Sequence, residues 1–329
     1  MTAVKDIDVT ALGELLIDFT QNGRTAQGNI TFEANPGGAP CNVLSMLNNL
    51  GRKVSFIGKV GDDAFGDLLR EAVQKQGIDV GGLCSDAKIP TTLAFVHTLP
   101  DGDRDFSFYR KPGADACLTA DEVDYDRIRR AQIFHFGSLS LTNEPVREAT
   151  QRAVQTAEES GCLCSFDPNL RPSLWNSLDE AKAQIRWGLG HCDILKISDN
   201  EIRWFTCIED FDEGASWLLS EFPRIRLLCL SRGRDGSTAY TRDLQVSEPA
   251  FIREDTIETT GAGDTFGACV LNDVLEYGPD GLTADRLRKM LVFANAAASV
   301  ITTRKGALRV MPTRTEINAL AAERLADFV

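Results

Sequence analysis

The chain has 329 residues, enough for one large α/β domain or two smaller ones. Its 48 acidic residues against 35 Lys and Arg give a net charge of −13, which argues against a nucleic-acid backbone as partner but leaves small anionic ligands open. No uninterrupted apolar run approaches bilayer length, and Met1 to Asp8 carries no signal-peptide core, so no membrane partner and a cytoplasmic location are expected.

Two early segments, Glu14–Glu33 and Thr91–Arg110, alternate apolar and polar residues around Gly and Asn turns with no helix inside them. Phe95, His97, Phe106 and Phe108 suit half-buried strands. These segments read as a small β lid, residues 14–35 and 91–110, inserted into a larger body made of residues 1–13, 36–90 and 111–329. Asn42–Leu50 and Phe65–Gln76 have helical spacing. From about residue 130 short apolar runs alternate with amphipathic patterns. Gln132–Leu141, Cys162–Phe166, Asp193–Ile197 and Leu227–Leu230 read as strands; Pro145–Ser160, Leu178–Leu189 and Gly214–Glu221 read as helices. That order implies a mostly parallel sheet with helices on both faces. The nine cysteines scatter through apolar elements with no Cys-x-x-Cys pair, so buried free thiols are expected. His135, inside Ile133-Phe134-His135-Phe136, suits a satisfied core histidine.

Polar segments follow three of these strands: Asp167-Pro168-Asn169-Leu170-Arg171, Ser198-Asp199-Asn200-Glu201 and Ser231-Arg232-Gly233-Arg234-Asp235-Gly236. Open α/β sheets bind ligands just beyond the carboxyl ends of their strands, which is where these groups fall.

The most informative stretch is Thr259-Thr260-Gly261-Ala262-Gly263-Asp264-Thr265-Phe266-Gly267. Gly261, Ala262 and Gly263 let the backbone turn its N–H groups toward one point. The run Ala268 to Tyr277 reads as a helix, and a helix N-terminus favours a phosphate. A carboxylate there, Asp264, can orient an incoming hydroxyl and take its proton. An ordinary N-cap explains the isolated segment about as well. A Walker loop is excluded because no Gly-x-x-x-x-Gly-Lys-Ser/Thr occurs. A dinucleotide fingerprint fails on the last glycine spacing, and Arg253-Glu254-Asp255 is too charged for its buried first strand.

Taken in order, these segments resemble the ribokinase-like (PfkB) carbohydrate kinases from about Val9 to Pro312. The resemblance is carried by Asn35-Pro36-Gly37-Gly38-Ala39-Pro40-Cys41-Asn42, by Gly58-Lys59-Val60-Gly61-Asp62-Asp63-Ala64-Phe65-Gly66, and by Thr259 to Phe266. Phe108-Tyr109-Arg110-Lys111-Pro112 and Asp115 look most like the fructokinases of that family. It implies a ribokinase-like α/β fold with a β-sheet lid, and an ATP- and magnesium-dependent transfer of phosphoryl to a primary hydroxyl of a ketose, fructose first. It implies Asp264 as catalytic base and Gly261, Ala262 and Gly263 as anion hole. Asp18, Gly37, Gly38, Asn42, Arg110 and Arg171 would bind sugar. Lys196, Ser231, Gly233, Gly236 and Asn295 would bind nucleotide. Glu201 would hold magnesium through water, with Ser198 standing where the family has Asn. Potassium beside the anion hole would involve Glu258 and the backbone near Thr260, Ile301 and Gly306. Two copies would pack lid against lid. The alternatives are 2-keto-3-deoxygluconate or another sugar or nucleoside as acceptor, and, from a different class, a non-catalytic sugar-responsive binding protein. A dehydrogenase is the outside reading.

Overall fold

The computed structural model describes residues 4–98 and 104–326, and side chains outside 97–106. His97 and Phe106 therefore lie outside the described side chains. Strand β1 (Ile7–Leu12) is followed by β2 (Leu16–Arg24) and β3 (Ile30–Gly37). Next come α1 (Ala39–Asn49), β4 (Val54–Gly61), α2 (Ala64–Lys75) and β5 (Asp79–Asp86), then β6 (Leu93–Thr98) and β7 (Arg104–Tyr109). Helices and strands then alternate: α3 (Tyr125–Arg130), β8 (Ala131–Gly137), α4 (Val146–Glu159), β9 (Leu163–Asp167), α5 (Leu178–His191) and β10 (Ile194–Ser198). After α6 (Asp199–Thr206), α7 (Phe211–Glu221) and β11 (Leu227–Ser231), a meander adds β12 (Ser237–Tyr240) and β13 (Gln245–Glu248). Helices α8 (Ala262–Tyr277), α9 (Ala284–Ile301) and α10 (Arg314–Ala326) come last.

The body is one nine-stranded sheet in the order β13-β12-β11-β10-β9-β8-β1-β4-β5. The strands from β11 to β5 run parallel, and β12 and β13 run antiparallel. Alternation along each strand feeds two cores, one per face. On β8, Ile133 joins the core under α1, α8 and α9, while Phe134 and Phe136 join the one under α4 and α5. On β11, Leu227 and Cys229 face the first core and Leu228 and Leu230 the second. The expected parallel sheet with helices on both faces is what forms.

Some boundaries differ from expectation. The strand read through Leu141 stops at Gly137 and passes into a tight turn over Ser138–Leu141. The apolar run continues because this turn is itself buried; burial, not strand geometry, sets its composition. The Ser198 segment, read as polar connection, starts helix α6. Ser198 caps it, and Glu201, three residues on, closes a capping box. All nine cysteines are free, and six are buried as expected, while Cys84 and Cys117 are half-buried and Cys207 is exposed. His135 is buried with Nδ1 3.0 Å from Ser165 Oγ, and burial, with the Lys196 charge adding to it, holds its pKa down to about 4. Among the described residues no helix is long and apolar enough to cross a membrane.

A second sheet, ordered β3-β2-β6-β7, is antiparallel except where β2 pairs with β6. Phe19 stacks on Phe95 at 5.0 Å and meets Phe65 of α2 at 5.7 Å, so aromatic contact ties this small sheet to the body.

Phe136 is fully buried among Phe134, Phe166 and Trp187, with ring centroids 6.1, 4.8 and 6.2 Å away. Phe136→Ala is expected to lower stability by about 3–5 kcal/mol, read from the urea midpoint. A loss under about 1 kcal/mol would mean that this core collapses around the missing ring.

Candidate active site

Parallel register brings several polar groups to one edge. Gly137 pairs with Asp167 and Ser198 with Ser231, so the chain ends of β8 to β11 come level. Gly13 and Glu14 leave β1 beside them. Above this edge lies a polar cleft of about 630 Å³, lined by Glu14, Asp18, Gly38, Asn42, Asn169, Arg171, Lys196, Thr259 to Gly261, Gly263 and Asp264. A second cavity of about 380 Å³ is mainly apolar, with Phe251, Ile252 and Ala298 facing Ser231, Gly233 and Gly236. Thr259 and Gly263 line both, so the two cavities meet at the start of α8.

That junction is built from backbone. Helix α8 begins earlier than its apolar run suggests, at Ala262, with Gly261 as left-handed N-cap at φ 76°. A Cβ on Gly261 would also come within 2.6 Å of Ala307 Cβ. Asp264 therefore sits inside the first turn rather than before it. First-turn amides have no intrahelical acceptor, so those of Gly263 and Asp264 make a cradle that could receive an anion. Lys196, on the α8 side of β10, lies along this turn. A Cβ on Gly263 would stand 3.0 Å from its Nζ, and one on Gly267 4.0 Å from its Cγ. Glycines one helical turn apart thus give the lysine its groove. Lys196 was expected with the nucleotide residues; it lines the polar cleft, at the cradle itself.

Lys196 Nζ pairs with Asp167 Oδ2 at 3.0 Å. Burial alone would pull the lysine pKa down, but Asp167, Glu201 and Asp264 outweigh it and the pKa rises. Burial pushes Asp167 up to about 6, against the pull of Lys196. It also raises Asp264 above the usual carboxylate range, opposed by the Asn42 hydrogen bond and by the charges of Lys196 and Arg171. Asn42 Nδ2 donates to Asp264 Oδ2 at 2.8 Å.

On the opposite wall, Asp18 leaves β2 beside the Gly37-Gly38 turn. A side chain on Gly37 would collide with the Asp18 carboxylate, and one on Gly38, at φ 134°, with the Glu14 carbonyl. The two glycines therefore keep the polar floor open. Arg171 lines the far side, following Asn169, a non-glycine residue at φ 42°.

Three expected residues are engaged within the protein, and one of them, Arg110, takes another position. Arg110 does not reach from the lid into this cleft. Its guanidinium is buried, donating to Asp115 and Thr142 at 2.8 Å and to the Leu139 carbonyl at 3.0 Å, and it borders a neighbouring cavity. A buried guanidinium needs such partners, and Asp115 supplies the counter-charge. Glu201 is largely occupied: Oε1 accepts the Leu170 N–H at 2.7 Å and Oε2 the Ser198 N–H and Oγ–H at 2.9 and 2.7 Å. Oε1 keeps one acceptor position, which suits a metal-bound water and not direct ligation. Asn295 lines the apolar cavity but its amide is spent on Ser237 Oγ and on the Glu248 and Pro249 carbonyls, so it shapes the wall. Glu258 Oε1 accepts the Gly306 N–H at 2.8 Å, joining two of the segments expected around a potassium ion. The Ile301 carbonyl accepts from Arg304 N–H at 3.1 Å. Among the described residues no three His, Cys, Asp or Glu side chains gather as a metal site.

Glu14, Asp167 and Asn169 line or border the cleft and received no role from the sequence. Each follows or ends a parallel strand, which was the available signal.

The family model for pfkB family carbohydrate kinases matches residues 6–314. A fructokinase-1 from Zea mays is 40% identical over 311 residues, covering 94% of this chain and 96% of that protein. Among solved structures, a fructokinase with bound ATP from Xylella fastidiosa superposes with a TM-score of 0.87 at 28% identity, over 97% of this chain and 99% of that one. A fructokinase double mutant from Vibrio cholerae, bound to fructose, ADP and potassium ion, gives 0.86 at 28% identity with the same coverage. The chain belongs to the pfkB family of carbohydrate kinases.

Glu14 offers a pH test of the cleft. It is buried, its Oε1 accepts the Ala39 N–H at 2.9 Å, and burial pushes its pKa from 4.5 up to about 7. The folded state then holds this proton more tightly than the unfolded state, so Glu14 costs stability progressively as pH rises from about 4.5 to about 7. Glu14→Gln keeps the acceptor and removes the charge. Its stability relative to the parent should climb through that window and level off above it, as read from urea midpoints at several pH values. Two parallel pH curves would show that Glu14 keeps an ordinary pKa.

Proposed function

We propose that this kinase is an ATP-dependent fructokinase acting in the cytoplasm, moving the γ-phosphoryl group of ATP to a primary hydroxyl of fructose to give fructose 6-phosphate. The observation that carries this reading is the meeting of a polar and an apolar cavity at Thr259 and Gly263, with Asp264 on the polar side. The Zea mays and Xylella fastidiosa fructokinases support the choice of sugar. The adenosine end of ATP takes the apolar cavity, with Ser231, Gly233 and Gly236 along its phosphate side. Fructose takes the polar cleft. Asp18 accepts from two sugar hydroxyls, and Gly37 and Gly38 let the ring approach the backbone.

Asp264 orients the acceptor hydroxyl and takes its proton as the oxygen attacks phosphorus in line. Burial, which raises the basicity of this carboxylate, makes it a better acceptor of that proton. The amides of Gly261, Gly263 and Asp264 hold the moving phosphoryl group, the expected Ala262 N–H being spent on the Thr259 carbonyl at 3.2 Å, and Lys196 and Arg171 offset its negative charge. Magnesium, carried on the nucleotide phosphates, supplies further charge neutralisation when bound, and the open position on Glu201 suits one of its waters. Glu258 and the loop ending at Gly306 support a monovalent cation nearby. The small sheet closes over the sugar and excludes water. Its exposed Ile30, Phe32 and Tyr109 support pairing with a second copy.

Three measurements test this reading. A screen of fructose, ribose, 2-keto-3-deoxygluconate and nucleosides with ATP and magnesium should give the highest kcat/KM for fructose. Preference for another acceptor would overturn the sugar but keep the kinase; no phosphorylation of any would overturn both. Asp264→Asn should lower kcat by about a hundredfold or more with sugar affinity largely kept. Survival within about threefold would remove Asp264 as the base. Asp18→Ala should abolish sugar binding while leaving nucleotide binding intact by calorimetry, and the reverse pattern would exchange the two cavities.

A further inference from the structure

Asp115, one of the residues that carry the resemblance to fructokinases, has no role in the site described above. It lies in a single 3₁₀ turn, Ala114–Cys117, and is 3% exposed. Its two oxygens hold different partners. Oδ1 accepts the Thr92 hydroxyl, and Oδ2 accepts the Arg110 Nε–H at 2.8 Å. Thr92 directly precedes β6 and Arg110 directly follows β7, so one carboxylate holds both roots of that strand pair. The fit around it is close. Ala114 N–H donates to the Pro90 carbonyl at 2.9 Å, and a Cβ on Gly113 would stand 1.7 Å from Thr92 Oγ1. On the other side, Thr91 donates its N–H and its hydroxyl to Asp63, the N-cap of α2, both at 2.8 Å. Each partner of Asp115 then leads to one wall of the polar cleft. The Thr92 carbonyl accepts the Ile17 N–H at 3.1 Å where the pairing of β2 with β6 starts, and Asp18 is the next residue. Arg110 donates to the Leu139 carbonyl at 3.0 Å, and Leu139 lines the cleft.

We propose that Asp115 is a positioning residue for the acceptor sugar: through Thr92 and Arg110 it holds the Asp18 wall and the Leu139 wall of the cleft at a fixed separation. This rests on the reading of the polar cleft as the sugar site. A buried ion pair adds little net stability, because desolvation offsets the attraction; its best-attested use is to fix one arrangement of the parts it joins. Here one part belongs to the small sheet and the other to the turn after β8. A carboxylate suits the task because it accepts from a hydroxyl and a guanidinium at once, along different directions. An apolar residue at 115 would fill the space and leave both roots without a common tether.

Two substitutions at Thr92 separate positioning from packing. Thr92→Val keeps the volume and deletes the hydroxyl; Thr92→Ser keeps the hydroxyl and deletes a methyl. Packing alone would make Ser the more damaging change, and positioning makes it Val. Asp115→Asn, which keeps shape and removes the charge, is the third variant. Hydrogen exchange at the Ile17 amide, followed in sugar-free protein, should quicken about tenfold or more in Thr92→Val and Asp115→Asn and stay near the parent rate in Thr92→Ser, with amides of β10 and β11 unmoved. Fructose affinity by calorimetry should weaken about tenfold in the first two variants and stay within about threefold in Thr92→Ser. Nucleotide affinity should hold, and kcat at saturating fructose should stay within about threefold, so that the loss falls on KM. Parent-like Ile17 exchange in both Thr92→Val and Asp115→Asn, or parent-like fructose affinity in both, would overturn the proposal. So would a defect in Thr92→Ser as large as in Thr92→Val, or nucleotide affinity lost in step with fructose. Because the exchange readout needs no sugar, a parent protein that binds no fructose would count against the fructokinase reading alone.

Discussion

The site depends on where helix α8 starts. Gly261 takes a left-handed conformation with Ala307 packed so close that a side chain would collide, and the helix begins one residue later. Its first-turn amides therefore open at the boundary between the two cavities, and Asp264 falls on the polar side of it. Helix α8 also packs against α1 and α9, so the position of this turn is set by the core under the sheet and not by the loop before it. Anything bound at the boundary meets a fixed array of donors, which costs little reorganisation when charge develops.

Charge around that turn is arranged for a visitor. Lys196 is buried among Asp167, Glu201 and Asp264, and its pKa rises because three acids outweigh its desolvation. Such a pocket repels a bare anion less than its acid count suggests, since Glu201 has spent most of its acceptor capacity on Leu170 and Ser198 and Asp167 is itself pushed up to about 6. With Arg171 across the cleft, the cations converge on the same point as the helix amides. A protein carrying a net charge of −13 can thus hold a polyanion, because the relevant field is local.

Much of this was legible in the sequence. Short apolar runs alternating with amphipathic patterns gave the parallel body from β8 onward, and the small sheet showed as period-two segments without intervening helices. The Gly-Ala-Gly-Asp segment was readable only together with the earlier glycine motifs, because alone it suits an ordinary N-cap about as well. What escaped was decided by partners distant in sequence. Arg110 looked like a lid arginine, yet Asp115, Thr142 and the Leu139 carbonyl bury it. Asn295 lines the apolar cavity, where it was expected, but only the fold shows that its amide is spent pinning the exit of β13. Glu14 stood in plain sight after β1, but only the fold shows that α1 closes over it and that its carboxyl is desolvated.

Ser198 shows how a departure from a family pattern can be absorbed. As the N-cap of α6 it needs an oxygen that reaches the N3 amide, and a serine hydroxyl does this as well as an asparagine carbonyl. Its N–H and hydroxyl both donate to Glu201, which in turn accepts from Leu170. Glu201 therefore joins the end of β10 to the segment that carries Asn169 at φ 42° and Arg171. A backbone held in that sparsely populated region needs outside support, and this carboxylate provides it. Glu201 thus fixes, from behind, the segment that lines the polar cleft with Asn169 and Arg171. Replacing Asn by Ser therefore keeps the cap and the clamp.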